Sequence, residues 1–206
     1  MYAPANNRVD DPAQQLAFMR EYNFAALVSR SGAFGLSASH LPFVVDADER
    51  GLLLQAHLAR ENPQCDELAQ AHELAHEVLV IFSGPHAYIS PTHYERHPSV
   101  PTWNYLALHA HGTIRRVESE AARMASLERL VAVHDPAFSP TLVALRSDYR
   151  YRMLAHIVAI EIRVSRIEAR FKLSQDRSPT ERARIVTALE VGDAAAQALA
   201  AKMRAG

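Results

Sequence analysis

The chain has a single cysteine, a single tryptophan and almost no net charge across 206 residues. The lone Cys65 cannot close a disulfide within the chain, which excludes a disulfide-stapled secreted fold. Lys and Arg number 22 against 23 Asp and Glu, a formal net charge of −1. General nucleic-acid binders usually carry a basic excess, so this balance gives no reason to expect a polyanion partner. No apolar run approaches the ~20 residues that a membrane helix needs. The opening MYAPANNRVDD lacks a basic stretch followed by an apolar core, so it does not read as a secretory signal. The expectation is a cytoplasmic protein with no membrane partner.

What is present is ordinary globular usage, 49% hydrophobic and 22% charged. That rules out wholesale disorder and allows a sizeable core in one domain, with or without an elaboration. Eleven histidines are the unusual count and raise the question of metal.

The local pattern sets out elements in order. Asp11-Pro12 pairs a capping residue with a proline that suits a first helical turn, and Leu16 and Met19 share a face behind it. Phe24 to Arg30 is compact and strand-like, and Ser31-Gly32 reads as a turn. Phe34 to Val45 reads as one extended segment with Gly35, Ser37 and Ser39 on one face. Asp46 to Gly51 is a polar turn and Leu52 to His57 another strand, so an antiparallel meander is expected. Asn62-Pro63 starts a helix to about His72, and Glu77 to Gly84 is a buried strand. Pro85 to Pro101 reads as a structured loop around a short strand. Thr102 to Val117 is a long strand. Glu118 to His134 is helical, with Leu127, Leu130 and Val131 on one stripe, and helical pattern resumes to about Ala155 after Asp135-Pro136 and Ser139-Pro140. Ile157 to Leu173 alternates as a long half-buried strand with a bend or bulge. Ser178-Pro179-Thr180-Glu181 is a capping box, and Gly192 breaks the helical tail. The spacing predicts a mainly β, α+β architecture: a closed or partly open antiparallel barrel, Greek-key-like, with peripheral helices. The barrel is expected over 1–175, with helices inserted at about 62–75 and 118–155, and a helical extension over 176–206 on the same domain.

Two histidine patterns compete with structural readings. His72-Glu73-Leu74-Ala75-His76 matches H-E-x-x-H, which on a helix sets two imidazoles on one face around zinc with glutamate as general base. A β-type run begins directly after His76, and no extended third-ligand pattern follows, so a solvated helix terminus is the plainer reading. His109 and His111 share a strand face and could hold metal, line a cavity or face water. No metal is assigned. Cys65, early in a helix and with no visible partner, reads as a small packed residue.

The informative residues lie elsewhere, in ordered blocks: Ser39-His40-Leu41-Pro42-Phe43; His57-Leu58-Ala59-Arg60-Glu61-Asn62-Pro63; Phe82-Ser83-Gly84-Pro85-His86-Ala87-Tyr88-Ile89-Ser90-Pro91; Pro101-Thr102-Trp103-Asn104-Tyr105; and Phe171-Lys172-Leu173-Ser174-Gln175. Together they resemble the PaiB-type FMN-binding negative transcriptional regulators, a branch of the FMN-binding split β-barrel superfamily, over essentially the whole chain. The resemblance implies a split-barrel homodimer with FMN at the subunit interface. The chain departs from the family pattern at Asn7 and Cys65, often aromatic there, at Ala169 for a glycine and at Asp176 for an asparagine. Residues 134–149 match weakly and lack the usual tryptophan.

The chemistry of these residues suits a phosphate and a flavin. Arg60 precedes the helix started by Asn62-Pro63, whose free N–H groups favour an anion, and an arginine adds a bidentate fork. Lys172 and Ser174 read as one strand face carrying a cation and a hydroxyl. Ser39, His40 and His57 are candidate donors. Trp103 and Tyr105 offer flat surfaces, and Asn104 and Gln175 offer donor-acceptor pairs for a flavin pyrimidine edge. Each has a plainer role: Arg60 as a solvated charge, Trp103 as core, His86 and Tyr88 as loop or dimer-interface residues. No residue is singled out as acid, base or nucleophile. Gene control is implied by the resemblance, a flavin-dependent oxidoreductase without direct DNA binding is the alternative, and a zinc hydrolase through His72 to His76 the weaker one. No convincing helix-turn-helix is present, and Arg146-Arg150-Arg152 and Arg177-Arg182-Arg184 read as solvated faces.

Overall fold

The computed structural model of the chain describes residues 1–31, 35–73 and 77–205, with side chains at all of these except 31 and 70–73. The turn expected at Ser31-Gly32 and residues Phe34 and His76 therefore fall wholly or partly outside the described residues. The strands are β1 (Phe24–Ser31), β2 (Gly35–Pro42), β3 (Val44–Asp48), β4 (Gly51–Ala59), β5 (Glu77–Ile89), β6 (Thr102–Arg116) and β7 (Ile157–Lys172). They join one sheet in the order β2-β1-β5-β6-β7-β4-β3. The described pairings are antiparallel. The fold is a split β-barrel with accompanying helices, and the sheet is not closed.

The expected meander is not formed. β1 and β2 make one hairpin, from Phe24↔Pro42 to Ser31↔Gly35, and β3 and β4 a second, from Val44↔Gln55 to Asp48↔Gly51. They stand at opposite ends of the strand order. The break is local: Pro42 has no N–H to continue a ladder, and Phe43 turns fully into the core, its N–H donating to the Asn23 carbonyl at 2.8 Å. What reads as one extended segment is two strands with different partners.

The helices are α1 (Pro12–Glu21), α2 (Gln64–Glu73), α3 (Glu120–His134), α4 (Ser139–Ala144), α5 (Ser147–Leu154), α6 (Pro179–Glu190) and α7 (Ala194–Ala205). Their starts follow the capping chemistry. Asp11 accepts from the N–H groups of Ala13 and Gln14 at 3.1 and 3.3 Å. Asn62 Oδ1 accepts from Gln64 N–H at 3.0 Å. Ser178 and Glu181 complete the reciprocal capping box. None of the described helices is long and apolar enough to cross a membrane.

Packing divides the chain into two compact units, and β5, β6 and β7 contribute residues to both. One unit comprises Met1–Phe18, Ser83–Leu108 and Glu168–Gly206. Its core includes Phe18 and Phe171, with ring centroids 4.8 Å apart, and the buried faces of α6 and α7. The N-terminal segment runs against β7 there: Phe171 N–H donates to Asn7 O at 2.9 Å and Val9 N–H to Ala169 O at 3.2 Å. The other unit comprises Met19–Phe82 and His109–Ile167. Leu27, Phe43, Leu54, Phe82, Ile160 and Ile162 are fully buried in it. Each such side chain contributes about 1.5–3 kcal/mol by leaving water. The helical stripe read on α3 buries little: Leu127, Leu130 and Val131 are half-buried, and only Met124 is buried.

Two strands change phase along their length. In β5 the buried positions are Val78, Val80 and Phe82, then Pro85, Ala87 and Ile89. In β7 they are Val158, Ala159, Ile160 and Ile162, then Ala169 and Phe171. A period-two strand can make that switch only through a bend or an extra residue. In β7 this change falls between Ile162 and Ala169, within the strand where the sequence leads one to expect a bend or bulge. In β5 the strand also runs five residues beyond the expected Gly84.

Candidate functional site

The sequence-read site residues fall into two groups, one in each unit. Ser39, His40, His57, Arg60 and Asn62 surround the β4–α2 junction and the neighbouring part of β2. Asn62 is the organiser. Its Oδ1 caps α2, while its Nδ2 donates to Ser39 Oγ at 2.9 Å. Ser39 and His40 cannot act together, since adjacent strand residues face opposite ways. Ser39 pairs opposite the buried Leu27, whereas His40 is exposed and stacks on Phe24 with centroids 6.1 Å apart. His57 lies on the opposite face of β4 from the buried Ala56 and Leu58. Burial holds its imidazole below the usual histidine range.

Arg60 is exposed, but its fork is partly engaged. Nε donates to Ala155 O at 2.5 Å and Nη2 to Ile157 O at 3.4 Å. Nη1 has no protein partner among the described residues and remains a donor beside the N-terminus of α2. That donor set, one cationic fork edge next to a helix start, fits a phosphate.

The second group lies in the other unit. Along β6, Asn104 and Leu106 point to the core while Trp103 and Tyr105 point away. Trp103 is 52% exposed, with His86 and Tyr88 of β5 beside it at centroid distances of 5.6 and 6.3 Å. It is therefore not the core residue of the plainer reading. Asn104 is fully buried: its Nδ2 donates to Ser174 Oγ at 2.8 Å, and its Oδ1 has no partner. It is not on the face that Trp103 and Tyr105 present.

Ser174 and Gln175 also depart from the sequence reading. β7 ends at Lys172, and Ser174 adopts a left-handed conformation with φ of 57°. Ser174 is buried against Asn104, so it does not extend the face of Lys172. The Gln175 side chain accepts from Leu173 N–H at 2.8 Å and from Asn7 Nδ2 at 3.0 Å, and it donates to Phe171 O at 2.5 Å. Its amide fixes the chain end of β7. Lys172 remains on the outward face and donates to Thr102 Oγ1.

Sequence reasoning passed over Arg170, which shares that face by period-two spacing. Its guanidinium lies between the rings of Tyr2 and Tyr105, 5.5 and 5.4 Å from their centroids. The signal was available in Arg170-x-Lys172. Of the basic cluster Arg177-Arg182-Arg184, only Arg184 is the exposed residue expected. Arg177 lies 4.0 Å over the buried Tyr94 ring, and Arg182 donates to the Leu173 and Met203 carbonyls. His72 and Glu73 end α2, and β5 begins at Glu77. His109 and His111 share a half-buried face of β6, with His111 Nδ1 3.7 Å from Glu77 Oε2. Among the described residues no group of three or more His, Cys, Asp or Glu side chains converges as a metal site.

Sheet and helices together define the chain's class as a split β-barrel, and comparison with known proteins narrows it. The family described as "Putative FMN-binding domain" matches residues 1–166. The protease synthase and sporulation protein PAI 2 of Bacillus subtilis (strain 168) is 31% identical over 191 residues, which cover 92% of this chain and 89% of that relative. The chain belongs to this FMN-binding domain family. Among solved structures, the FAD and heme binding protein from Mycobacterium smegmatis matches with a TM-score of 0.62 at 14% identity, covering 81% of this chain and 73% of that one. The flavocytochrome Anf3 from Azotobacter vinelandii matches with a TM-score of 0.60 at 11% identity, covering 80% and 68%. At these identities the likeness is one of fold.

Proposed function

We propose that this chain is a flavoprotein that binds FMN as a homodimer, with the cofactor at the subunit interface. The observation that carries this reading is the β4–α2 junction, where an unengaged edge of Arg60 stands beside a helix N-terminus in a member of an FMN-binding family. Arg60 and Asn62 would hold the phosphate side, with Ser39 orienting Asn62 and His57 nearby on β4. Bound there, the flavin would supply redox chemistry, and the chain would orient it and exclude water. The test compares FMN with riboflavin, which lacks the phosphate. Arg60→Ala is expected to weaken FMN at least about tenfold and leave riboflavin unchanged, the difference of one charge-assisted contact. Equal FMN affinity in wild type and variant would overturn the phosphate assignment.

Any gene control is proposed to run through a partner or metabolite rather than a direct grip on DNA. The net charge is −1. The arginines of 146–152 are matched by carboxylates: Arg146 and Arg152 with Asp148, and Arg150 with Glu128 at 2.6 Å. Such pairing removes the free positive charge that phosphate contacts need. Mobility-shift measurements should show no retention of DNA at physiological salt. Sequence-specific retention there would overturn this reading.

A further inference from the structure

We propose that the cleft between the end of α1, the edge strand β3 and helix α3 binds a small carboxylic acid with a compact apolar body. The cleft lies within one unit. None of its residues belongs to the β4–α2 junction, and the flavoprotein reading is not needed for the acid to bind.

Arg20 is the anchor. Its Nε donates to the Val45 carbonyl at 3.0 Å, which pins the side chain to β3, the last strand of the sheet. Its terminal nitrogens, Nη1 and Nη2, have no protein partner among the described residues. The adjacent Glu21 is hydrogen-bonded to Tyr22 instead. A pinned guanidinium with both terminal donors open suits a carboxylate, because little side-chain freedom remains to be lost on binding. Asn23, half-buried on the same rim, has a side-chain amide that makes no hydrogen bond among the described residues. The carboxylate that lines the cleft, Asp46, is already ion-paired with Arg129 of α3. Two arginines against one carboxylate leave one positive charge, and it lies at Arg20.

The rest of the cleft is apolar. Phe43 and Val45 are buried and give it a floor, while Val133 of α3 stands 51% exposed at its side. α3 itself is thinly packed: Met124 is buried, but Leu127, Leu130 and Val131 are only half-buried. The space is about 270 Å³. Sites for drug-sized ligands begin near 300 Å³, so the ligand here is small, a ring or branched chain the size of benzoate. Such an acid would set its carboxylate on the Arg20 fork and the Asn23 amide. Its body would cover Val133 and tie α3 to the edge of the sheet, which stabilises the folded chain by linkage.

The test is calorimetric titration of the full-length protein with benzoate. Acetate, which lacks the apolar body, and benzamide, which lacks the charge, serve as controls. Benzoate is expected to bind one to one and at least about tenfold more tightly than either control. It should also raise the melting temperature as its concentration passes Kd. Arg20→Gln should weaken it about tenfold or more, and Val133→Asp, which sets a second carboxylate beside the ligand, should weaken it too. Arg184→Gln, at an exposed arginine of the other unit, should leave it unchanged. Thermal melts without ligand show that each variant folds, and Val133→Asp decides the matter if Arg20→Gln does not. The proposal is overturned if folded wild type does not bind benzoate, if binding survives Arg20→Gln, or if benzamide binds as tightly. Saturating FMN should leave the benzoate affinity unchanged. Competition by FMN would also overturn the proposal, because benzoate would then occupy the flavin site while the flavoprotein reading stands. If the protein takes benzoate through Arg20 but never FMN, the flavoprotein reading fails and the acid site is supported.

Discussion

Asn104 shows how a single side chain changes role between sequence and structure. Its amide has the donors and acceptors that a flavin edge would use, yet it is sealed in the core against Ser174. Asn104→Ala would leave the Ser174 hydroxyl without its donor and open a cavity. The expected cost is about 2–3 kcal/mol, read as a lower urea midpoint with the slope unchanged. A loss under about 0.5 kcal/mol would show that this contact does not hold the turn after β7.

His57 supplies a pH signature at the same scale. Its folded pKa lies below the usual 6.5 because burial disfavours the charged ring. Between that lowered value and 6.5 the unfolded chain binds more protons than the folded one. Stability therefore rises with pH through this window, and the penalty is fully present below it. Urea midpoints measured from acid to neutral pH should show the rise, and His57→Gln should flatten that component. An unchanged profile in the variant would assign the rise to other groups.

At the scale of elements, close approach sets the hardest constraint. A Cβ at Gly112 of β6 would sit 2.3 Å from the backbone oxygen of Arg163 in β7. Backbone cannot yield as a flexible side chain does, so Gly112→Ala should cost several kcal/mol, on the order of 3. Gly84→Ala meets the Phe18 ring at 2.8 Å, a contact that repacking can partly relieve, so it should cost less. Paired thermal melts check the order, and a reversed order would contradict the tight β6–β7 approach.

Element starts were legible because capping is local: Asp11, Asn62 and Ser178 each announce a helix within a few residues. The change of burial phase in β7 was legible too, because its apolar spacing breaks. The phase change in β5 was hidden by an almost continuous apolar run, which hides alternation. The split at Phe43 was hidden because β2 and β3 look alike locally, and only their partners on opposite edges tell them apart.

At the scale of the whole molecule, the family and fold class were readable from ordered blocks and the roles of individual residues much less so. Arg60, Trp103, Tyr105 and Lys172 remain available on their surfaces. Asn104, Ser174 and Gln175 hold internal structure. That division depends on which face a strand turns outward and where β7 ends, neither of which a motif encodes. The proposed homodimer makes a separate prediction: light scattering should return twice the mass of one chain. A monomer at micromolar concentration would contradict an interfacial cofactor site.

The central claim is that this chain carries FMN, and the most direct measurement is the absorption spectrum of the purified, untagged protein with the mass of the ligand released on denaturation. The expected result is a flavin spectrum and the mass of FMN, either as purified or after addition of FMN and removal of the excess. A protein that stays colourless after saturation with FMN, while folded and dimeric, would contradict the account.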